Sequence, residues 1–207
     1  MTGEQKAARQ RGPNGRHLAA APDAPVAASA AEQSMSSAII PIDDATSPLE
    51  IYLLRHADAG NSALWTGVDA ERPLSKKGRR QAKALARTLK DLDLKVDAVI
   101  SSPLIRAAQT AKPVAKAIGL EVLTDERLGY GFGRRELVAI MKQLGTGINR
   151  VVLVGHDPGF TEVVSFLVGA DITMAKGALA RIDLADREVK AGAGALRWLL
   201  PPDAVAR

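Results

Sequence analysis

The chain has 207 residues, a net charge of +5, 46% hydrophobic and 25% charged residues, the composition of one globular domain of ordinary size plus a tail. It contains no cysteine, which excludes disulfides, thiolate catalysis and cysteine-ligated metals, and its three histidines, His17, His56 and His156, are too few and too scattered for a metal site. No uninterrupted apolar run of about 18 residues is present, so no membrane-spanning helix is expected.

The positive excess reads as a solvated face together with an anion pocket rather than a nucleic-acid surface. The basic residues are spread along the chain and no aromatic residues are interleaved with them to stack on bases. With aromatics at only 3%, the core must be aliphatic and alanine-rich.

In chain order, residues 1–48 come first and differ from the rest, with 12 alanines, 5 prolines and no aromatic residue. Such a segment buries too little apolar surface to offset its ordering entropy and is expected to be a disordered tail. The alanine-rich run 18–31 is broken by Pro22, Asp23 and Pro25 and lacks the apolar core of a signal peptide. Glu4, Asp23 and Glu32 also argue against a transit peptide, and Met35 is an alternative start. His17 falls in this tail.

The folded domain is expected over 49–207. Strand one is read at 50–55, in Glu50-Ile51-Tyr52-Leu53-Leu54-Arg55, an apolar run that stops at an arginine and His56. A polar loop follows from Asp58 to Pro73. Ser75 is a good N-cap for a helix to about Leu92, with Ala82, Leu85, Ala86 and Leu89 at helical spacing. Residues 97–101 read as strand two. Pro103 suits the first turn of a helix to about Ile118, which Pro113 should kink or split. A short strand at 121–123, a glycine-rich loop at 125–133 and a helix at 135–144 come next. Arg150-Val151-Val152-Leu153-Val154 is the strongest strand, followed by a helix to about Val168 and two last strands at 178–184 and 195–200. Strands alternating with helices indicate an α/β fold, three layers α/β/α with a mostly parallel central sheet.

Three strand ends present charged or titratable groups: Arg55 and His56, the segment leading to Arg106, and His156. Open α/β sheets assemble ligand sites at strand carboxyl ends, so a cationic site for an anion is expected there. The segments that carry these groups resemble the motifs of the histidine phosphatase superfamily, also called phosphoglycerate mutase-like. Leu54-Arg55-His56-Ala57 is similar to its Arg-His-Gly signature, with alanine for glycine. Arg72-Pro73-Leu74-Ser75-Lys76-Lys77-Gly78 resembles its Pro-Leu-Ser/Thr-x-x-Gly element. Residues 101–111, Ser-Ser-Pro-Leu-Ile-Arg-Ala-Ala-Gln-Thr-Ala, and Val154-Gly155-His156-Asp157-Pro158-Gly159 resemble two further elements in the same order. The short domain, Ala57 and the Gly-His-Asp-Pro-Gly form are most similar to SixA-like phosphohistidine phosphatases, without the insertions of larger members.

The resemblance implies a metal-independent phosphatase that needs no cofactor and works through a phosphohistidine. His56 would be the nucleophile, and Arg55 and Arg106 would grip phosphoryl oxygens, as guanidinium matches oxyanions with paired N–H groups. His156 would donate a hydrogen bond to the same group. Larger members protonate the leaving oxygen with a carboxylic acid. Here Glu126 is the tentative acid, with Asp125 and Asp58 as alternatives, and no matched motif holds any of them. Asn61 lies five residues after His56, where the family's asparagine lies six after, so its role is not carried over. The implied substrate is phosphohistidine in a signalling protein. A small phosphorylated metabolite and a non-catalytic phosphate-binding module are the alternatives. The expected setting is a cytoplasmic monomer that binds neither nucleic acid nor membrane.

Overall fold

The computed structural model describes residues 48–145 and 147–205. The tail read at 1–48, apart from Pro48, and the alternative start at Met35 lie outside the described residues.

Six strands form one sheet in the order β3-β2-β4-β1-β5-β6. They are β1 (Leu49–Arg55), β2 (Ala98–Ser101), β3 (Val122–Thr124), β4 (Arg150–Gly155), β5 (Leu179–Leu184) and β6 (Gly194–Leu200). The first four lie parallel to one another, and β5 pairs antiparallel with both β1 and β6. The helices are α1 (Lys76–Asp91), α2 (Ile105–Ala117), α3 (Arg134–Gln143), α4 (Gly159–Val168) and a short α5 (Pro202–Val205).

Both faces of β1 are covered, which is why its sequence is an unbroken apolar run instead of an alternation. Ile51 and Leu53 pack in one cluster with Leu137 and Ile140 of α3 and Phe160 and Val163 of α4. Tyr52 and Leu54 pack in the other with Leu85 and Leu89 of α1 and Ala107, Ala111 and Val114 of α2. Helix, sheet and helix form the three layers, as expected from the alternating pattern. Alanines fill much of the α1 and α2 layer, so an aliphatic core forms with few aromatic residues.

Most expected elements lie within two residues of their read bounds. The helix after β2 differs at its start. Pro103 precedes it, because the Ser102 hydroxyl accepts from the Leu104 amide (3.2 Å) and holds the segment as a turn outside the helix. Helix α2 runs through Pro113 without a break. The four-residue α5 has no counterpart in the sequence reading.

The register places the site. Arg55 pairs with Gly155 at the ends of β1 and β4, so His56 and His156 each follow a paired residue. The ladder continues one step further: the His56 amide donates to Gly155 O, and the Ser102 amide donates to Val154 O, both at 2.9 Å. The residues immediately past β1 and β2 are thereby fixed by backbone bonds to the end of β4, which lies between those strands.

The loop after His56 is anchored on α1. Ser75 caps that helix by accepting from the Gly78 amide (3.0 Å), and the Ser75 amide donates to Asp58 O (2.9 Å). Gly78 sits so close to this loop that an added Cβ would lie 1.9 Å from Asp58 O. Gly78→Ala must therefore push aside the backbone two residues beyond His56. A loss of about 1–3 kcal/mol in urea unfolding is expected; an unchanged midpoint would show that the loop yields freely.

Candidate active site

His56 ends the β1 segment and is 6% exposed. Its Nδ1 lies 2.7 Å from the carbonyl oxygen of Ala57. A carbonyl only accepts, so Nδ1 carries the proton and Nε2 is left with its lone pair. The turn that allows this is held by Thr110 of α2, whose hydroxyl accepts from the Ala57 amide (3.0 Å) and donates to Arg106 O (2.7 Å). The same threonine thus couples the histidine loop to the helix that bears Arg106.

His156 follows β4, with its ring centroid 5.0 Å from that of His56. Its Nε2 is 2.8 Å from the Ser102 hydroxyl, which already accepts from the Leu104 amide. The hydroxyl's proton is best spent on Nε2, which puts the proton of His156 on Nδ1. That Nδ1 is buried and has no partner among the described residues. The Nε atoms of Arg55 and Arg106 are also buried and without partners among the described residues. These three buried nitrogens belong to the groups gathered about His56, whose Nε2 keeps a free lone pair. Buried polar groups are normally paired, and this donor set is complementary to an oxyanion.

The arginines are held from behind. Arg55 donates through Nη1 to Met174 O (2.5 Å) and pairs with Asp157 at 2.7 Å. Asp157 in turn accepts from the Thr161 amide in the first turn of α4 (3.2 Å). Arg106 donates to Asp69 O (2.8 Å) and pairs with the Asp69 carboxylate at 3.1 Å. Asp69 also binds Arg72 Nε (2.8 Å) and accepts from the Tyr130 hydroxyl (2.6 Å). Tyr130 lies nearly parallel to the His156 ring, 6.4 Å away.

Electrostatics keep both imidazoles neutral. Burial pushes His56 down to about 4, with Arg106, Arg55 and Lys176 acting in the same direction and the Ala57 carbonyl opposing them. Burial likewise pushes His156 down to about 3, helped by His56 and Arg106. Asp69 moves the other way: the hydrogen bonds from Tyr130 and Arg72 lower its carboxyl to about 2. It is ionised at neutral pH and is no proton donor.

The structure brings together four of the residues expected from the sequence: Arg55, His56, Arg106 and His156. It does not bring Glu126 to them. Glu126 is exposed on the turn Glu126–Leu128 and has no hydrogen bond or ion pair to the four among the described residues. Asp125 caps that turn and binds Arg127, and Asp58 accepts from Gly60 and Ser75. Asn61 caps the turn Ser62–Leu64 by accepting from the Ala63 amide (3.0 Å). Residues beyond the sequence reading also enter the site. Asp69, at the start of the 3-10 turn Asp69–Glu71, and Tyr130 and Lys176 lie in connections with no periodic pattern, while the Ser-Ser-Pro and Gln-Thr-Ala segments already contained Ser102 and Thr110.

The model of the histidine phosphatase superfamily (branch 1) matches residues 51–136, which hold most of β1 together with His56 and Arg106. This chain belongs to that superfamily. An uncharacterized protein of Picosynechococcus sp. is 34% identical over 119 residues, covering 55% of this chain and 70% of that protein. A probable phosphoglycerate mutase GpmB of Yersinia pestis is 38% identical over 81 residues, 39% of this chain but only 37% of its own length. Among solved structures, the protein histidine phosphatase SixA complexed with tungstate superposes with a TM-score of 0.64 at 22% identity, over 75% of this chain and 98% of that one. A protein of Nakamurella multipartitia assigned as a phosphohistidine phosphatase SixA gives 0.61 at 26% identity, over 75% and 96%. The fold is SixA-like, and phosphatase hydrolysis is the activity class that family and fold support.

The depressed pKa of His56 has a measurable consequence. Above an unfolded value of 6.5 both folded and unfolded chains hold it neutral; as pH falls below that, only the unfolded chain takes up the proton. Folding stability linked to His56 is therefore lost as pH drops from about 6.5 toward about 4. NMR titration of the His56 ring in the free protein is expected to give a midpoint near 4, raised by added orthophosphate. A midpoint near 6.5 would contradict this environment.

Proposed function

We propose that this protein is a phosphatase that forms a phosphohistidine on His56 and removes phosphoryl groups from phosphohistidine in a cytoplasmic signalling protein. The observation that carries the reading is the donor set of Arg55 Nε, Arg106 Nε and His156 Nδ1 around the unprotonated Nε2 of His56. Nε2 attacks phosphorus as the bond from phosphorus to the leaving nitrogen breaks. The departing imidazole keeps or takes up a proton and leaves as a neutral histidine. Arg55, Arg106 and His156 hold the phosphoryl oxygens as their charge spreads. Water then attacks the phosphorus, the P–Nε2 bond breaks, phosphate departs and His56 is restored.

The phosphohistidine substrate is favoured over an alkyl phosphate by the acid–base groups at hand. Asp69, the carboxylate bound to Arg106, is held ionised, and Glu126 stands on the exposed turn. An imidazole leaving group can be protonated before the bond breaks, whereas an alkoxide needs an acid positioned at the bond. Glu126, the acid expected from the sequence, has at most a minor part from that exposed position. Glu126→Gln is expected to change turnover of a phosphohistidine peptide and of an alkyl phosphate each by less than about threefold. Slowing of the alkyl phosphate alone by about tenfold or more would restore Glu126 as its proton donor.

The direct test compares wild type with His56→Ala on a phosphohistidine peptide and on p-nitrophenyl phosphate, with a chelator present. Wild type is expected to release phosphate from both and to prefer the peptide, with the variant slower by about a thousandfold or more. Preference for a small phosphorylated metabolite would redirect the substrate class. Phosphate binding without turnover of any phosphorylated compound would overturn the phosphatase reading.

A further inference from the structure

Helices α1 and α2 carry ten of the chain's 28 lysines and arginines. Helix α1 carries seven lysines and arginines against one acid, Asp91, and α2 adds Lys112 and Lys116 with no acid. The two helices pack against each other, and Arg79, Lys83, Lys112 and Lys116 line one groove between them, floored by Ala82 and Pro113. All four cations are exposed, and none takes part in an ion pair among the described residues.

The groove is tied to the candidate active site. Gln109, on its wall, accepts from the Leu74 amide (2.8 Å), and Arg79 donates to Leu74 O (2.5 Å). Arg106 lies on the same helix as Lys112 and Lys116, and ten residues of helix place Lys116 about 15 Å along the axis from it. A phosphoryl group on Arg106 would leave the rest of a large substrate within reach of these cations, but a small metabolite would not extend that far.

The rim of the site indicates what kind of large molecule. Leu64, Trp65 and Val68 are exposed on the segment that delivers Asp69 to Arg106, and Tyr130, 66% exposed, is hydrogen-bonded to that same Asp69. Large apolar side chains clustered at a site entrance mark a protein-binding surface. A cationic groove beside them calls for an acidic partner.

We propose that the α1–α2 groove docks an acidic surface of the phosphorylated protein substrate while its phosphohistidine occupies the site. The inference rests on the phosphatase reading above and adds how the substrate is recognised.

The test uses two phosphohistidine peptides with the same core. One carries a run of Asp and Glu starting about five residues from the phosphohistidine, far enough for an extended chain to span 15 Å; the other carries Gln and Asn there. At low salt, kcat/KM of wild type is expected to favour the acidic peptide about tenfold. The triple variant Lys83→Glu, Lys112→Glu, Lys116→Glu should abolish the preference and keep p-nitrophenyl phosphate turnover within about twofold, which also shows that it is folded. No preference in wild type, or a preference retained in the variant, overturns the proposal. If neither phosphopeptide is hydrolysed, the substrate reading fails separately. Fluorescence anisotropy of the labelled, unphosphorylated peptides then decides the surface: tighter binding of the acidic one, lost in the variant, supports it, and equal binding overturns it. Binding of a single-stranded RNA oligonucleotide that the variant loses, without any peptide preference, would instead assign the groove to nucleic acid.

Discussion

Two guanidinium groups that cannot give up their protons, Arg106 buried and Arg55 half-buried, lie beside two buried imidazoles, and much of the site's architecture follows from compensating that charge. An uncompensated buried cation is costly, and arginine cannot escape the cost by neutralising. Each arginine therefore has one carboxylate behind it, Asp157 for Arg55 and Asp69 for Arg106. Each also has a backbone carbonyl, Met174 O or Asp69 O. The pairing is incomplete, because both Nε atoms are left without acceptors among the described residues. The imidazoles absorb the remainder by staying neutral. An anionic phosphoryl group would complete the charge balance and fill the open donors at once.

The same constraint explains the elaborate support of single atoms. The proposed nucleophilic lone pair on His56 exists because Ala57 O fixes the tautomer, and Ala57 is placed by Thr110, one turn beyond Arg106 on α2. Ser102 does the equivalent for His156. These supports come from β1, the β2 turn, α2 and β4, elements packed through two aliphatic clusters on opposite faces of one sheet. Packing fixes the strands, strand register fixes the residues that follow them, and those residues fix the protonation pattern.

Much of this was legible in the sequence, and the division is physical. Buried strands declare themselves as continuous apolar runs, so the polar residue that ends such a run is conspicuous. Arg55, His56 and His156 were found that way, and Arg106 through the segment that follows β2. Ser75 and the spacing of Leu85 and Leu89 announced α1 for the same local reasons. Asp69, Tyr130 and Lys176 were not legible, because each lies on a short turn between the main elements and acquires meaning only through a neighbour far along the chain; Tyr130 and Asp69 are 61 residues apart. Helix α2 starts two residues after Pro103 because the Ser102 hydroxyl holds the Leu104 amide in a turn before it. The gathering of charge on α1 and α2 was also hidden. The basic residues look spread in sequence, and only helix packing puts Arg79 and Lys83 against Lys112 and Lys116.

In the proposed reaction, phosphate passes through one nitrogen of one histidine, Nε2 of His56. The most direct measurement is to trap the phosphoenzyme from a phosphohistidine substrate by rapid alkaline quench and locate the phosphate by peptide mass spectrometry and phosphorus NMR. Phosphate on Nε2 of His56, acid-labile and base-stable, is the expected result. Phosphate on His156, or substrate turnover with no phosphate ever found on His56, would contradict it.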